Sequence, residues 1–412
     1  MLNQVLSLSR AFTMNEEKET IRSRALEKRI RRHVAGRTRE YFAAVPPGFE
    51  AGCRQELIDL GLDPAGVTVE AGGIGFTGRL MDCLRANLYL RTATRVLMRI
   101  GDFRATNRRR LEKKSAEIAW ELFLEPGPLP AIKVSSHRSR LYHTAAIAQT
   151  IRSGIARRLN AAPPSSPGTG IPQTLFARLV EDRLTLSLDS SGEPLYKRGF
   201  KMGAARAPLR ETLAAAILMA AGYDPSNPLV DPMCGSGSFS LEAAMQAKHM
   251  APGVNRPFAF QGWPAYSENQ WAFLKREAEE QVVHLDRPRI FASDIDAGAC
   301  ARLSKTIAGN AMDDAVRVTP KNIFDCRGDQ YGEGPGLVTI NPPYGIRIGS
   351  ATQAGELFMA IGRHLGRHFK GWQVALIAPE RKLAHQLPFA AKRLPLLHGG
   401  LKLTLVVGTI NA

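Results

Sequence analysis

The sequence predicts an α/β protein in which a doubly wound, mostly parallel sheet forms the carboxyl-terminal half and two smaller α+β units precede it. Three observations indicate this fold class. The 412 residues suggest two or three domains. The apolar fraction of 44% is ordinary for globular proteins. Beyond Gly199, short apolar runs alternate with helical stretches, which is the pattern of βαβ units.

Residues 1–40 are predicted to form a basic, loosely attached extension. The part from Glu16 to Arg39 is charged and compatible with a helix, but it offers few apolar residues to a core. Arginines gather toward its end at Arg29, Arg31, Arg32, Arg37 and Arg39. We therefore expect no fixed packing for this segment.

Residues 41–101 are predicted to form a small α+β unit. Its elements in order are a strand at 41–45, a turn at 46–48, a helix at 50–60, strands at 67–69 and 75–77, a helix with apolar Leu80, Leu84, Leu88 and Leu90, and a strand at 95–100. The helix at 50–60 ends at Gly61, a common helix terminator.

Residues 102–190 are predicted to form the second unit. It contains a helix at 111–120, a strand at 131–135, a helix at 144–159, a loop rich in Pro, Ser and Gly at 161–170, and strands at 174–181 and 183–189. The last two alternate apolar and polar residues around Asp182, as a half-buried hairpin does. Basic residues are frequent in this unit, among them Lys133, Arg138 and Arg140.

Residues 200–412 are predicted to form the doubly wound domain. Its strands are expected at 228–231, 289–293, 316–319, 337–340 and 373–378, with helices at 208–221, 239–246, 297–310 and 354–368. A closing hairpin at 393–397 and 401–407 is expected to add an antiparallel edge.

Charge and cysteine content narrow the classes of function. The formal net charge is +17 and the pI is about 10.0, which favours polyanionic partners such as nucleic acid. The longest apolar run, around 213–221, is too short to span a membrane. The five cysteines form no C-x-x-C pair, so we expect a cytoplasmic protein with neither disulfides nor a metal site.

A glycine-rich turn follows the first strand of the predicted parallel sheet. The segment from Asp231 to Ser238 contains Pro232, Cys234, Gly235 and Gly237. Glycines at such a turn let backbone amides approach a ligand at the start of the next helix. The third glycine of the dinucleotide fingerprint and the phosphate-loop pattern are both absent, so a phosphate site is disfavoured.

Polar residues also follow the next two strands. Asp294 ends the second strand, where a carboxylate can accept hydrogen bonds from ribose hydroxyls. Asp296 is interpreted as the N-cap of the following helix. Asn322, after the third strand, is placed to meet an adenine edge, and a turn-forming role is the alternative.

The fourth strand leads into Asn341-Pro342-Pro343-Tyr344-Gly345. Two prolines stiffen the backbone and fix the direction of the Pro342 carbonyl. With the Asn341 side-chain carbonyl, this gives two acceptors for an exocyclic amine, and Tyr344 offers a ring on which the base can stack. The sequence therefore predicts a site for an amino group carried by a base.

These motifs resemble those of class I S-adenosylmethionine-dependent methyltransferases that modify amino groups in nucleic acid. Over nearly the whole chain from Tyr41, the sequence resembles the THUMP-domain rRNA (guanine-N2) methyltransferases that act on 23S rRNA, in the form with a single methyltransferase domain. The segments that carry this resemblance are 41–50, 85–95, 134–143, 188–195 and 206–216.

The resemblance implies a fold, a reaction and a set of site residues. It implies a ferredoxin-like unit and a THUMP RNA-binding unit ahead of a Rossmann-like methyltransferase domain. S-adenosyl-L-methionine would be bound by Asp231, Pro232, Cys234, Gly235, Gly237, Asp294 and Asn322, the target base by Asn341, Pro342 and Tyr344, and RNA by Lys133, Arg138 and Arg140. The family usually has Asp where Asn322 stands, so the charge is absent at that position.

The expected partner is large-subunit (23S) rRNA, with no membrane and no obligate protein partner. Two other readings stay open at this point. The same acceptors fit adenine N6 in RNA or DNA, and a catalytically idle RNA-binding ribosome-assembly factor would keep the basic units without using the cofactor.

Overall fold

The computed structural model describes residues 23–160, 171–200, 209–332, 334–343 and 351–411. Within these residues the strands form two seven-stranded sheets, one in each half of the chain. The front sheet contains β1 (Arg39–Ala44), β2 (Val67–Glu70), β3 (Gly73–Gly78), β4 (Arg95–Arg104), β5 (Ala131–His137), β6 (Thr174–Val180) and β7 (Arg183–Asp189). Its helices are α1 (Glu50–Asp59), α2 (Leu80–Tyr89), α3 (Arg108–Glu117) and α4 (Thr144–Leu159).

The front sheet is continuous across both predicted α+β units. Its strand order is β2-β3-β1-β4-β7-β6-β5, and only the pair of β5 and β6 is parallel. Strand β4 pairs with β1 along one side and with β7 along the other, and it runs on through Arg104. The two units predicted at 41–101 and 102–190 therefore share a sheet, with β4 at the junction.

One face of this sheet is buried because its strands alternate. In β6 and β7 the buried positions include Leu175, Ala177, Leu184 and Leu186. The residues between them in sequence point to the opposite face, as the two-residue period of a strand requires. The sheet therefore has an apolar face in the core and a mixed face on its other side.

Residues 23–40 differ from the expected loose extension. Residues 23–35 are helical, and their Ile30 and Val34 side chains are buried in the core. Arg29 contacts Glu121 at 3.0 Å, and Arg39 already begins strand β1. Two apolar side chains one helical turn apart suffice to fix this helix to the core. Residues 1–22 lie outside the described residues.

The back sheet contains β8 (Leu229–Asp231), β9 (Ile290–Asp294), β10 (Val316–Pro320), β11 (Leu337–Ile340), β12 (Gln373–Ala378), β13 (Lys392–His398) and β14 (Leu401–Thr409). The helices of this half are α5 (Glu211–Ala220), α6 (Ser238–Ala247), α7 (Glu268–Glu280), α8 (Ala297–Ala308), α9 (Ala351–His368) and α10 (Arg381–His385). The predicted antiparallel edge is confirmed, because β14 pairs antiparallel with both β12 and β13.

The strand order of the back sheet is β10-β9-β8-β11-β12-β14-β13. The chain moves outward from β8 through β9 to β10 and then returns to place β11 on the other side of β8. In open α/β sheets, ligands bind outside the carboxyl ends of the strands where the order reverses. The carboxyl ends of β8 and β11 therefore mark the position of a site.

A buried ion pair joins the two halves of the chain. The Arg198 Nε donates to Glu242 Oε1 on α6 at 3.0 Å, and both side chains are almost inaccessible. The same guanidinium donates to the carbonyls of Arg91 and Leu195, and Arg91 in turn donates to the Met250 carbonyl. Front and back sheets are thus held together by charged hydrogen bonds removed from water.

No helix in the described part of the chain is both long enough and apolar enough to cross a membrane. All five cysteines are buried free thiols.

Candidate active site

The glycine-rich turn connects β8 to α6. Gly235 and Gly237 have φ values of +51° and +76°, a region that L side chains rarely adopt. A Cβ on Gly237 would lie 2.3 Å from the Leu303 Cδ1, whereas a Cβ on Gly235 would meet nothing within 4 Å. Gly237 thus allows close packing of α8, and Gly235 lies beside open space that a ligand can enter.

Asp231 lies beneath this turn. Its side chain is 1% exposed, and its Oδ2 accepts a hydrogen bond from the Ser240 hydroxyl at 2.7 Å. Burial is the main cause that raises the pKa of Asp231 to about 7; the hydrogen bonds from Ser240 oppose this rise, and the nearby Asp294 carboxylate adds to it. Asp231 therefore anchors the first turn of α6 to the end of β8.

Pro232 and Cys234 are also buried within the turn. The Cys234 amide donates to the Ser293 carbonyl at 2.9 Å, which joins the turn to the neighbouring strand β9. Burial raises the pKa of the Cys234 thiol, so the sulfur stays protonated. Both residues shape the turn.

Asp294 ends strand β9 and faces the same turn. Its Oδ2 accepts the Gly235 amide and its Oδ1 accepts the Asp296 amide, each at 2.9 Å. An ionised carboxylate offers about four lone-pair positions, so two remain for hydroxyl donors. Asp296 accepts the Gly298 amide at 2.8 Å and begins α8, which confirms its interpretation as an N-cap.

Asn322 follows strand β10. Its side-chain carbonyl accepts the Phe324 amide at 3.1 Å and begins a short helical turn at Ile323–Asp325. The turn-forming role considered for this residue is therefore present in the fold. Contact with an adenine remains a prediction.

Asn341 directly follows strand β11, which lies beside β8 in parallel register. Its side-chain oxygen is buried and accepts no hydrogen bond from the described residues. Such an acceptor costs about 1–3 kcal/mol, so an external donor is the natural partner. The neighbouring Pro342 is buried, and Tyr344 lies outside the described residues.

The three residues predicted to contact RNA lie elsewhere, on β5 and the loop after it. Lys133, Arg138 and Arg140 are all exposed. Arg138 has a φ of +48°, and the Arg140 guanidinium lies 3.4 Å from Asp182. Asp182 is buried, but the Arg140 side chain is 72% exposed, so its guanidinium can still contact a phosphate.

The back sheet therefore brings together three of the predicted motifs. The glycine-rich turn, Asp294 and Asn341 follow the adjoining strands β8, β9 and β11. These positions fit a ligand that carries a nucleoside, together with an amino group. Gly235 lies beside open space, Asp294 has acceptor positions for hydroxyl groups, and Asn341 has an unpaired amide oxygen. Sequence reasoning missed Ser240 and Leu303, which hold this turn in place.

Comparison with known proteins decides the family. Residues 198–396 match the family model described as "RMKL-like, methyltransferase domain", and residues 40–97 match "RlmL ferredoxin-like domain". A relative from Synechocystis, named "Putative RNA methyltransferase slr0064", is 31% identical over 374 residues, covering 90% of this chain and 96% of the relative. The chain belongs to this methyltransferase family.

Other family members are longer. "Ribosomal RNA large subunit methyltransferase K/L" of Methylococcus capsulatus is 33% identical over 373 residues, which cover 88% of this chain and 50% of the relative. The chain spans about half the length of the K/L relatives it matches.

Solved structures share the fold, and one of them contains SAH. SMU.472, described as a putative methyltransferase complexed with SAH, has a TM-score of 0.80 at 29% identity and covers 91% of this chain and 99% of its own. A predicted N6-adenine-specific DNA methylase from Listeria monocytogenes also has a TM-score of 0.80, at 28% identity, covering 90% and 96%. The cofactor of the family, and of this chain, is S-adenosyl-L-methionine. The predicted fold class is confirmed.

Proposed function

We propose that the chain methylates the exocyclic N2 amine of guanine in large-subunit (23S) rRNA. The observation that carries this proposal is the buried, unpaired Asn341 oxygen after β11, the strand next to β8 where the strand order reverses. The names of the RNA methyltransferase relatives and the net charge of +17 support RNA as the substrate.

The glycine-rich turn, Asp294 and Asn322 hold the cofactor. Asp294 accepts the ribose hydroxyls with its remaining lone pairs, Gly235 and Gly237 permit close backbone approach, and Asn322 meets the adenine. When bound, S-adenosyl-L-methionine supplies a methyl group on a sulfonium centre, which is electrophilic without any metal. Asp231, Pro232 and Cys234 act by shaping the turn.

Asn341 and Pro342 make the target amine nucleophilic. The N2 lone pair of guanine is delocalised into the ring, so the free amine is a poor nucleophile. Two carbonyl acceptors, one from each residue, draw both N–H bonds toward themselves and localise the lone pair on the remaining side of the nitrogen. The same acceptors would stabilise the positive charge that develops on nitrogen as the new N–C bond forms and the methyl–sulfur bond breaks, with its electron pair left on sulfur. The methylated nitrogen then loses one proton to water, and alignment of the amine with the methyl group supplies the remaining rate enhancement.

The target nucleotide has to leave its stack to reach these acceptors. A paired base presents its amine within the helix, where neither carbonyl can approach it. The enzyme therefore acts on a flipped or single-stranded nucleotide, and we assign Tyr344 as the ring on which the base stacks.

Adenine N6 is the second candidate acceptor. Its amino group presents the same two N–H donors, and one related structure is described as an N6-adenine-specific DNA methylase. The third candidate is a catalytically idle assembly factor. Such a protein would not need the open space at Gly235 or the unpaired Asn341 oxygen.

Two measurements on the purified chain test the proposed function. Calorimetric titration with S-adenosyl-L-methionine is expected to show saturable binding, and incubation with methyl-labelled cofactor is expected to label deproteinised large-subunit rRNA but not duplex DNA. Binding of cofactor without any label in RNA would contradict an RNA methyltransferase. If the label appears only in DNA, the protein is a DNA methylase.

A further inference from the structure

The mixed face of the front sheet contains a cleft of about 630 Å³. Residues from six of the seven strands and the β2–β3 turn line it, among them Phe42, Arg99, Lys133, Phe176, Arg178 and Ser187. The cleft is separate from the crevice of the back sheet, because none of the lining residues belongs to the glycine-rich turn, to Asp294 or to Asn341. Its volume lies within the range of about 300–1,000 Å³ found for small-ligand sites.

Strand register places the key side chains in one row across the cleft. Lys133 on β5 lies opposite Phe176 on β6, Phe176 lies opposite Ser187 on β7, and Ser187 lies opposite Arg99 on β4. Residues directly opposite each other in a sheet share a face. A cation, an aromatic ring, a hydroxyl and a second cation therefore follow one another across four strands.

Cations surround the aromatic rings of this face. The Lys133 ammonium and the Arg95 guanidinium each lie 5.6 Å from the centroid of the half-buried Phe176 ring. The Arg99 guanidinium lies 5.4 Å from the Phe42 ring. Rings with cations beside them match the two parts of a nucleotide, a flat base and an anionic phosphate.

Acidic residues compensate only part of this charge. The cleft lining contains four cationic residues, Arg99, Lys133, Arg178 and Arg183, and one acidic residue, Glu70. Glu70 pairs with Arg99, and Arg183 pairs with Asp102 at 2.5 Å. Arg178 donates to the Ala71 carbonyl, which leaves its charge uncompensated. The surplus positive charge is therefore centred on Lys133, opposite Phe176 on the neighbouring strand, and on Arg178, two residues after Phe176 on the same strand.

We propose that this cleft binds one unpaired nucleotide of the RNA substrate, with its base against Phe176 and its phosphate held by Lys133 and Arg178. The inference rests on the proposed function in taking RNA as the substrate, and it adds a nucleotide site outside the active site. A paired base has its faces covered by neighbouring bases, so only an unpaired one can enter. Open antiparallel sheets with aromatic side chains bind single-stranded RNA in this manner.

The test compares two aromatic residues that have similar surroundings. Phe176→Leu removes the ring from the cleft but keeps apolar volume. Phe273→Leu is the matched control, because Phe273 is an exposed ring on α7 with the Arg276 guanidinium 5.8 Å from its centroid. Fluorescence anisotropy would measure the affinity of the full chain for a labelled single-stranded oligoribonucleotide and for the same strand in a duplex, with free AMP as competitor. Melting temperature and affinity for S-adenosyl-L-methionine verify folding.

We expect Phe176→Leu to weaken single-strand binding by about tenfold, the order of one lost base-stacking contact, and Phe273→Leu to have no effect. Lys133→Gln should lower the slope of log affinity against log salt by about 0.7, as loss of one phosphate contact does on single strands. Arg276→Gln, which removes the same charge elsewhere, should leave the slope unchanged.

Four outcomes would overturn the proposal. If Phe176→Leu and wild type bind the single-stranded oligoribonucleotide with equal affinity, and the protein still methylates RNA, the cleft is not a nucleotide site. The proposed function is unaffected by that result. Equal loss with duplex and single strand assigns the effect to general charge or folding. If free AMP displaces the oligoribonucleotide and binds with the same affinity, the ligand of the cleft is a free mononucleotide. A wild-type chain that neither binds nor methylates RNA overturns the proposed function as well.

Discussion

At the scale of single residues, Asn341 shows why a buried polar atom without a partner is informative. Its residue follows β11, the strand next to the one that leads into the glycine-rich turn, and its oxygen accepts no hydrogen bond from the described residues. Buried Asn87 provides the contrast, because its amide bonds to the Cys83 carbonyl and to the hydroxyls of Ser190 and Ser191. One asparagine is satisfied by the fold, and the other has an acceptor available for a substrate.

Asn341→Ala is expected to lower single-turnover methylation by 10²–10³, about 3–4 kcal/mol, because one of two acceptors for the developing charge is lost. Cofactor affinity and melting temperature should stay near wild type, since no described residue depends on that oxygen. Asn87→Ala, the matched control, should lower the melting temperature because it breaks a buried network. Near-normal turnover in folded Asn341→Ala protein would exclude the proposed role.

Asp231 predicts a pH dependence of stability. Its folded pKa of about 7 lies above the value of about 4 expected in the unfolded chain, so the folded state holds a proton that the unfolded state has lost between these values. The contribution of the Asp231 proton to the free energy of unfolding is full below pH 4 and falls as the pH rises toward 7. Relative to Asp231→Asn, wild-type protein without cofactor should lose about 2 kcal/mol of unfolding free energy between pH 5 and pH 7. Urea denaturation at several pH values measures this, and parallel curves for the two proteins would refute it.

At the scale of secondary structure, the turns after β8 and β9 act together. Asp294 holds the Gly235 amide, so the second strand fixes the turn of the first. Asp296, two residues later, caps α8 instead. Two aspartates of one short segment therefore have different tasks.

Asp294→Ala should weaken binding of S-adenosyl-L-methionine by about 1.5–3 kcal/mol, the cost of losing hydrogen bonds to a charged group. Asp296→Ala is the matched control, and it should lower stability through the lost cap while leaving cofactor affinity nearly unchanged. Calorimetric titration and thermal melting of both variants separate the two effects. If Asp296→Ala weakens cofactor binding as much as Asp294→Ala does, the assignment of the ribose to Asp294 is wrong.

Elements with a strong local signal could be predicted from the sequence. The bounds of helix α4 and of strands β11 and β12 agree with their predicted ranges. Helix α7 was missed, although Ser267 caps it and Trp271, Leu274 and Ala278 form a buried stripe at helical spacing. The capping serine and the apolar stripe are both visible in the sequence, so this helix could have been predicted.

Pairings between distant segments left no such signal. The two front units are joined by pairing of β4 with β7, between residues such as Leu97 and Asp189 that are far apart in the sequence. The alternation of apolar and polar residues in a strand does not specify which strand is its neighbour. For the same reason the sequence predicts Asp294 as a ribose ligand without revealing its hydrogen bond to Gly235. It placed Asn341 at the site without showing that its oxygen is unpaired.

At the scale of the whole molecule, the ion pair of Arg198 and Glu242 fixes the front sheet relative to the active site. Arg198→Met leaves the Glu242 carboxylate buried without its partner and should cost about 3–5 kcal/mol of unfolding free energy. The double variant Arg198→Met/Glu242→Leu should recover part of this loss, because the uncompensated charge is gone. Lys197→Met, which breaks an exposed ion pair with Glu193, serves as control and should change stability little. Equal unfolding free energies of wild type and Arg198→Met, measured by urea denaturation, would contradict this account.

Nucleoside analysis of the methylated product shows which base and which nitrogen the protein methylates. Deproteinised large-subunit rRNA would be incubated with the full chain and S-adenosyl-L-methionine, digested to nucleosides and resolved by mass spectrometry, with Asn341→Ala protein as the inactive control. The account predicts that N2-methylguanosine increases with wild-type protein and stays near background with the variant. Accumulation of N6-methyladenosine instead, or of N2-methylguanosine at equal rates with both proteins, would contradict it.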